Sequence, residues 1–344
     1  MNNKFVYIEA PSFLKLLDSL AKDYHVILPV ETKNDYLWQS YPCDFQFSKY
    51  RAVNSIRQFL TPCVESMGAY FANETDNTKP FCIVGAKACD LSNALKIQDY
   101  VFLEGDIDEN YKKMRETNLI ISSDCTSFKE TCFCLALGIK PYPEELFDLN
   151  ISELQEGYAV EIGSSKGEKI VSENKTLFKE IRSLMLSERD KKRNDTVKEL
   201  AFQLSRLNFP QKESLHNLMK TGYENALWKE EALRCVECGS CVMNCPTCHC
   251  FLLFDTKDEK GYFKGRIWDG CQYKNFTRVA GGASALRFRE YRLRNRYIKK
   301  FEFFPDRIKL YACTGCGRCI EGCPAKIDLR KIFTTLETTQ SSKI

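Results

Sequence analysis

No apolar run in this 344-residue sequence approaches the roughly 20 residues that cross a bilayer as a helix, which excludes a membrane span of that kind. No basic-then-apolar leader opens the chain either, so a cytoplasmic protein is expected. The sequence lacks a G-x-G-x-x-G fingerprint and a Gly-Lys-Ser/Thr phosphate loop. A flavin or nicotinamide, if used, is therefore expected on a partner subunit. Low-complexity segments are absent. Charge of one sign is also in short supply: the formal net charge is only +4, a weak footing for a nucleic-acid partner. Histidine occurs three times, and His25 and His216 fall in plain strand and helix patterns. His249 lies between two cysteines, where hydrogen bonding is commoner than ligation.

Cysteine is what the chain has in excess: eighteen residues. Without a leader, so many thiols point to metal rather than to disulfides. Cys235-Val-Glu-Cys238-Gly-Ser-Cys241-Val-Met-Asn-Cys245-Pro246 has the spacing C-x2-C-x2-C-x3-C-P, by which bacterial-type ferredoxins hold [4Fe–4S] clusters. The spacing recurs as Cys313-Thr-Gly-Cys316-Gly-Arg-Cys319-Ile-Glu-Gly-Cys323-Pro324. Three thiolates two residues apart wrap one cube within a tight turn, and the Cys before Pro points to the other cube. One cluster is thus expected on Cys235, Cys238, Cys241 and Cys323, and its neighbour on Cys313, Cys316, Cys319 and Cys245. Gly239, Gly315 and Gly317 let the backbone approach the sulfurs. The alternative is a non-redox zinc or RNA-binding module. Zinc knuckles need only four ligands in all and do not call for this doubled pattern. Each oxidised cluster with its four thiolates carries about −2, so three would move the total charge to about −2. The formal +4 then argues for no partner.

The fold class expected is α+β: an N-terminal α/β domain over 1–175, a helical connector over 176–233, and a 2[4Fe–4S] ferredoxin-like domain over 234–335 with an insertion at 251–312. Phe13, Leu16, Leu17 and Leu20 share one helical face within residues 11–24, with Ser12 as the N-cap. Strands are expected at residues 25–30, 81–86 and 119–123, each a short apolar run. Helices are expected from Asp90, as N-cap, to Phe102, and from Asp108 to Asn118. Residues 158–163 and 168–172 suggest a hairpin. Residues 31–75 carry no clear pattern. The connector suggests a helix through Leu177, Ile181, Leu184 and Met185, a solvated break at 188–194, a helix through Val197, Leu200, Leu204 and Leu207 to Phe209-Pro210, and a helix from Glu213 to about Leu233.

Cys89, Cys125, Cys132 and Cys134 follow strand ends, where ligand sites of open α/β sheets lie. Taken alone they fit either a third cluster or small buried hydrophobes. Cys43, Cys63 and Cys82 suggest only the latter. Cys248, Cys250 and Cys271 are surplus to the two-cluster scheme. They could join His249 or Asp269 in a fourth metal site or compete with Cys245. Supporting thiols without metal are favoured, because three cysteines do not complete a cube. Val279-Ala-Gly-Gly282 suggests a turn needing positive φ. Arg287-Phe-Arg-Glu-Tyr-Arg-Leu-Arg-Asn-Arg-Tyr297 suggests a solvated helix face that could also neutralise cluster charge or dock a partner.

Together these residues resemble a known family. Gly85-Ala-Lys-Ala-Cys89-Asp90, Cys125 with Cys132-Phe-Cys134, Cys235 through Cys250, Trp268-Asp-Gly-Cys271, Val279–Gly282, Arg294-Asn-Arg-Tyr297 and Cys313 through Pro324 are similar to the β subunits of cytoplasmic sulfhydrogenases, a family that includes the A subunit of anaerobic sulfite reductase. The similarity spans about residues 80–330. It implies an anaerobic electron-carrying subunit between a flavin/NAD(P)-binding subunit and a catalytic or electron-bifurcating subunit, with no substrate turnover of its own. It also implies a third cluster on Cys89, Cys125, Cys132 and Cys134. The chain departs from the pattern at Phe59-Leu-Thr-Pro-Cys63. Ile121-Ser-Ser-Asp124 is closer to the hydrogenase branch than to the sulfite reductase branch.

Overall fold

The computed structural model describes residues 4–43, 49–70, 78–258 and 261–341. Among these the strands are β1 (Phe5–Ile8), β2 (His25–Glu31), β3 (Tyr36–Ser40), β4 (Val64–Ala69), β5 (Phe81–Ala86), β6 (Leu119–Ser123), β7 (Leu149–Glu153), β8 (Tyr158–Ile162), β9 (Phe178–Glu180), β10 (Phe251–Asp258) and β11 (Gly261–Trp268). The chain forms two compact units. The first comprises Met1–Thr61, Thr75–Lys129 and Ile139–Ala201. The second comprises Pro62–Glu74, Glu130–Gly138 and Phe202–Ile344. Both are built from separate stretches of chain.

The first unit is a mixed sheet in the order β3-β2-β5-β6-β7-β8-β1-β9. Its centre, β2, β5, β6 and β7, is parallel, with Val26 opposite Cys82, Ile83 opposite Ile120 and Ile121 opposite Leu149. Parallel strands are covered on both faces, which is why they are apolar runs rather than alternating ones. One face packs Leu28, Val84 and Ile121 with Phe13, Leu16, Leu17 and Leu20 of the helix Ala10–Leu20. The other packs Ile27, Ile83 and Ile120 with Leu95 and Phe102 of the helix Ser92–Leu103 and with Tyr111. Cys82 is fully buried as a small hydrophobe, but Cys63 is exposed, contrary to the expectation for it.

Several expected elements differ. The first helix is capped at Glu9 and not at Ser12, with Pro in its first turn. Asp90 belongs to a short 3-10 turn, Ala88–Asp90, and the helix after it starts at Ser92. The hairpin at 158–172 does not form. β8 pairs with β7, a strand the sequence did not suggest, and Ser165–Glu173 is a helix. The Ser164 hydroxyl accepts the Gly167 amide at 3.2 Å as its N-cap and bonds Asp148 at 2.5 Å. Capping and the seating of Ile170 in the core outweigh the β-branched pair Ile170-Val171. Phe178–Glu180 is an edge strand rather than helix. Ser183–Ser205 runs unbroken through 188–194, because Glu188 pairs with Lys192 at 2.9 Å and Arg193 chelates Asp124 at 2.7 and 3.0 Å. The expected helix from 213 to 233 is two, Leu215–Thr221 and Leu227–Arg234, and the Trp228 indole N–H donates to the Gly222 carbonyl between them.

The second unit has its core around Leu218, Trp228, Leu293, Phe301, Ile320 and Phe333. β10 and β11 pair antiparallel, and β4 extends them to a three-stranded sheet. No helix among the described residues is long and apolar enough to cross a membrane.

Candidate iron–sulfur centre

Both cysteine motifs fold the same way. The chain turns through positive φ at Glu237 (+57°) and Gly239 (+75°), then enters the short helix Ser240–Met243. In the second motif Gly315 (+64°) and Gly317 (+74°) do the same before Arg318–Glu321. These turns aim main-chain N–H groups at sulfur: the Glu237 amide bonds the Cys235 thiol, and the Gly315 amide bonds that of Cys313. The glycines also answer to protein neighbours. A Cβ on Gly315 would lie 2.5 Å from the Cys134 nitrogen, and one on Gly317 would lie 2.5 Å from the Thr131 carbonyl. The segment 130–138 is thus laid directly on the second motif, tied by Phe133 N–H to the Gly315 carbonyl at 2.8 Å.

One cavity is lined by Cys235, Cys238, Cys241, Cys319 and Cys323. This brings the last cysteine of the second motif to the first three of the other motif. Cys323 Sγ also accepts the Ile327 amide at 3.4 Å. The buried Cys245 sulfur is close enough to Cys313 and Cys319 to help raise the pKa of both thiols, and it also packs with Cys241 of its own motif. Leu293, Ile327 and Leu329 give the cavity an apolar wall.

Two buried cations flank these thiols. Arg296 lines the cavity and donates to the Cys241 carbonyl at 3.1 Å, while its Nε is buried without a partner among the described residues. Lys300 Nζ lies 3.3 Å from Cys245 Sγ, 2.7 Å from Thr247 Oγ1 and 2.9 Å from the Ala312 carbonyl. Burial alone would lower the pKa of Lys300, but the Cys245 and Cys248 sulfurs hold it above its ordinary value. Burial pushes the Cys241 and Cys313 thiols up to about 12. Such thiols become thiolates only when a cation such as iron takes the proton's place. Sulfur-rich walls, an orphaned guanidinium N–H and compensating buried charge therefore fit a [4Fe–4S] cluster.

The expectation of a solvated face for 287–297 is corrected here. Leu293, Tyr297, Arg292 and Arg296 of the helix Arg289–Ile298 are buried. Arg292 holds Glu237 and donates to the Leu286 and Arg287 carbonyls, both at 2.9 Å. Alternating Arg and aromatic residues look solvated in sequence, and only tertiary packing reveals which arginines turn inward.

The surplus thiols pack with Cys245: Cys248 and Cys271 are buried beside it, with Cys250 against them. The Cys250 thiol bonds Cys271, and this bond, opposed by burial, brings Cys271 down to about 6. Cys248 bonds Cys245 in the same manner. No group of three or more His, Cys, Asp or Glu side chains in the arrangement of a single metal ion occurs among the described residues. His249 Nδ1 lies 3.2 Å from the Thr247 carbonyl, and its ring sits edge-on to Phe304. His25 and His216 bond Ser40 at 3.2 Å and Asp306 at 2.8 Å. Gly282 has the positive φ expected of its turn, +82°.

Of the remaining set, Cys89 and Cys125 belong to the first unit, and Cys132 and Cys134 to the second. Lys87, between β5 and Cys89, is buried and donates to Ser123 Oγ at 2.9 Å and the Asp124 carbonyl at 2.7 Å. Burial lowers its pKa, and the nearby Cys125 sulfur and Asp124 oppose that. Lys300 has no signal in the sequence, whereas Lys87 and Arg296 lie in stretches already singled out, 85–90 and 287–297, and the sequence suggests the second of these as able to neutralise cluster charge.

Comparison with known proteins adds two findings. A 4Fe-4S dicluster domain matches residues 234–327. Over 262 residues the chain is 34% identical to the Sulfhydrogenase 2 subunit beta of Pyrococcus furiosus, covering 76% of this chain and 75% of that one.

Proposed function

The chain belongs to the family of sulfhydrogenase β subunits, and from that premise we propose that it relays electrons between a flavin/NAD(P)-binding subunit and a catalytic or electron-bifurcating subunit of a soluble anaerobic oxidoreductase. The observation that carries this is the cavity in which the cysteines of two distant motifs meet beside a buried arginine. Cys235, Cys238, Cys241 and Cys323 would hold one cluster, and Cys313, Cys316, Cys319 and Cys245 the other. When bound, such clusters supply one-electron redox chemistry. The protein's share is to exclude water with Leu293, Ile327 and Leu329 and to offset negative charge with Arg296 and Lys300. The third cluster, at Cys89, Cys125, Cys132 and Cys134, is proposed on the family pattern. Cys248, Cys250 and Cys271 act as supporting thiols.

The test is metal and optical analysis of the full chain after anaerobic reconstitution. Iron with a broad absorbance that dithionite bleaches is expected. A colourless zinc protein would sink the proposal in favour of a non-redox module. Two cubes hold about eight irons and three hold about twelve, so the iron content also decides the third cluster. Cys245→Ser should damage the cluster of Cys313, Cys316 and Cys319. Damage confined to the Cys235, Cys238 and Cys241 cluster would show that the ligands do not cross over.

A further inference from the structure

Beside the cavity just described runs an open groove on the surface of the second unit. Glu237 lines both, so a single residue separates groove from cavity. Five cations and two carboxylates line the groove: Lys229, Lys274, Arg287, Arg289 and Arg292 against Glu237 and Glu290. The carboxylate nearest the thiols is already spoken for, since Arg292 and Arg289 both pair with Glu237, the latter at 3.4 Å. Lys229, Lys274 and Arg287 are exposed and have no ion-pair partner among the described residues. Large apolar side chains stand out between them: Leu233 is 76% exposed and Phe288 52%. Val236, next to Cys235, is 64% exposed, and Cys238 itself reaches the surface. An apolar centre with a rim of unpaired cations is the make-up of a surface that binds briefly and is steered by charge.

We propose that this groove is the docking port for an acidic one-electron carrier protein, which exchanges electrons with the cluster on Cys235, Cys238, Cys241 and Cys323. The inference rests on the cluster assignment above. The chemistry selects a protein carrier over nucleic acid. The exposed apolar side chains of Leu233 and Phe288 give a protein surface something to cover, which a phosphate backbone does not use. Glu237, which lines both groove and cavity and precedes Cys238 in the chain, supplies the reason for docking here, because electron exchange needs close approach and the groove adjoins the cluster cavity at this residue. The step moves one electron from the reduced carrier to the cluster, with no proton or bond transferred: the carrier is oxidised and the cluster reduced.

The experiment uses the full chain with reconstituted clusters and a reduced, strongly acidic [2Fe–2S] ferredoxin as probe. The variant combines Lys229→Glu with Arg287→Glu, and the control combines Lys15→Glu with Lys191→Glu, a change of equal charge elsewhere. Stopped-flow mixing at low salt should show the second-order rate falling about tenfold or more in the groove variant. Its salt dependence should flatten, and the control should stay near the wild-type rate. Iron content and the spectrum of the dithionite-reduced clusters should match wild type in both. An unchanged rate in the groove variant, or an equal fall in the control, overturns the port. So does a groove that retains single-stranded RNA with steep salt dependence while ignoring ferredoxin. A wild-type chain without iron would instead overturn the cluster assignment itself.

Discussion

Lys300 is a buried ammonium whose contacts are a thiol, a hydroxyl and a carbonyl, with no carboxylate within ion-pair distance among the described residues. Such a charge is costly to bury unless something negative compensates it. The Cys245 sulfur is the nearest candidate, and iron-bound thiolates would complete the compensation. A unit charge about 6 Å from a cluster, at an effective dielectric near 20, is worth about 3 kcal/mol. That corresponds to about 130 mV for one electron. Lys300→Met should therefore make the cluster at Cys245 harder to reduce by about this amount, while Lys300→Arg should keep most of the wild-type value. Redox titration followed by electron paramagnetic resonance reads both. The sequence concealed this residue. Lys299-Lys300 precedes Phe301-Glu-Phe-Phe304 in what looks like an ordinary amphipathic turn, and nothing local says which lysine points inward. The dicluster domain, by contrast, was legible because the doubled cysteine spacing is local in the chain.

The strand-turn-helix elements show the same division between local and tertiary information. The parallel strands β2, β5 and β6 could be read as apolar runs, because burial on both faces leaves only one composition open to them. β7 escaped notice: Asn150 and Ser152 look solvent-facing, yet both are buried and bond the Asp124 carboxylate, at 3.0 and 2.7 Å. The helix Ser183–Ser205 was misread as broken because its charged stretch is satisfied by partners remote in sequence. In the cysteine motifs the elements are constrained tightly enough to test. Gly315→Ala would place a methyl 2.5 Å from the Cys134 nitrogen at a φ of +64°. Positive φ costs an alanine about 1 kcal/mol, and the clash adds about 1–3 kcal/mol. Thermal melting of the iron-loaded protein should thus show a loss of roughly 2–4 kcal/mol. Gly281→Ala, which meets nothing within 4 Å, should melt like wild type.

At the scale of the molecule, neither compact unit is a single stretch of chain. The segment 130–138 and the strand β4 both lie far in sequence from the cysteine motifs, yet belong to the unit that holds them. Linear domain boundaries drawn from composition cannot show this, since the assignment depends on contacts between distant residues. It also makes the two cysteine motifs unequal. The second motif wears the 130–138 segment as a cover, and Gly315 and Gly317 are the positions where that cover presses close. The position equivalent to Gly315 in the first motif is Glu237, whose side chain is accommodated because it faces the groove. The consequence concerns durability in air. Dioxygen and the superoxide it forms attack the iron they can reach, and Cys238 is exposed whereas its counterpart Cys316 is only partly so. Under brief aeration the cluster on Cys235, Cys238, Cys241 and Cys323 should corrode first, shedding an iron, while its covered neighbour outlasts it. Mössbauer spectra taken through a timed exposure would show two successive decays, and simultaneous decay of both signals would mean that the 130–138 segment shields nothing.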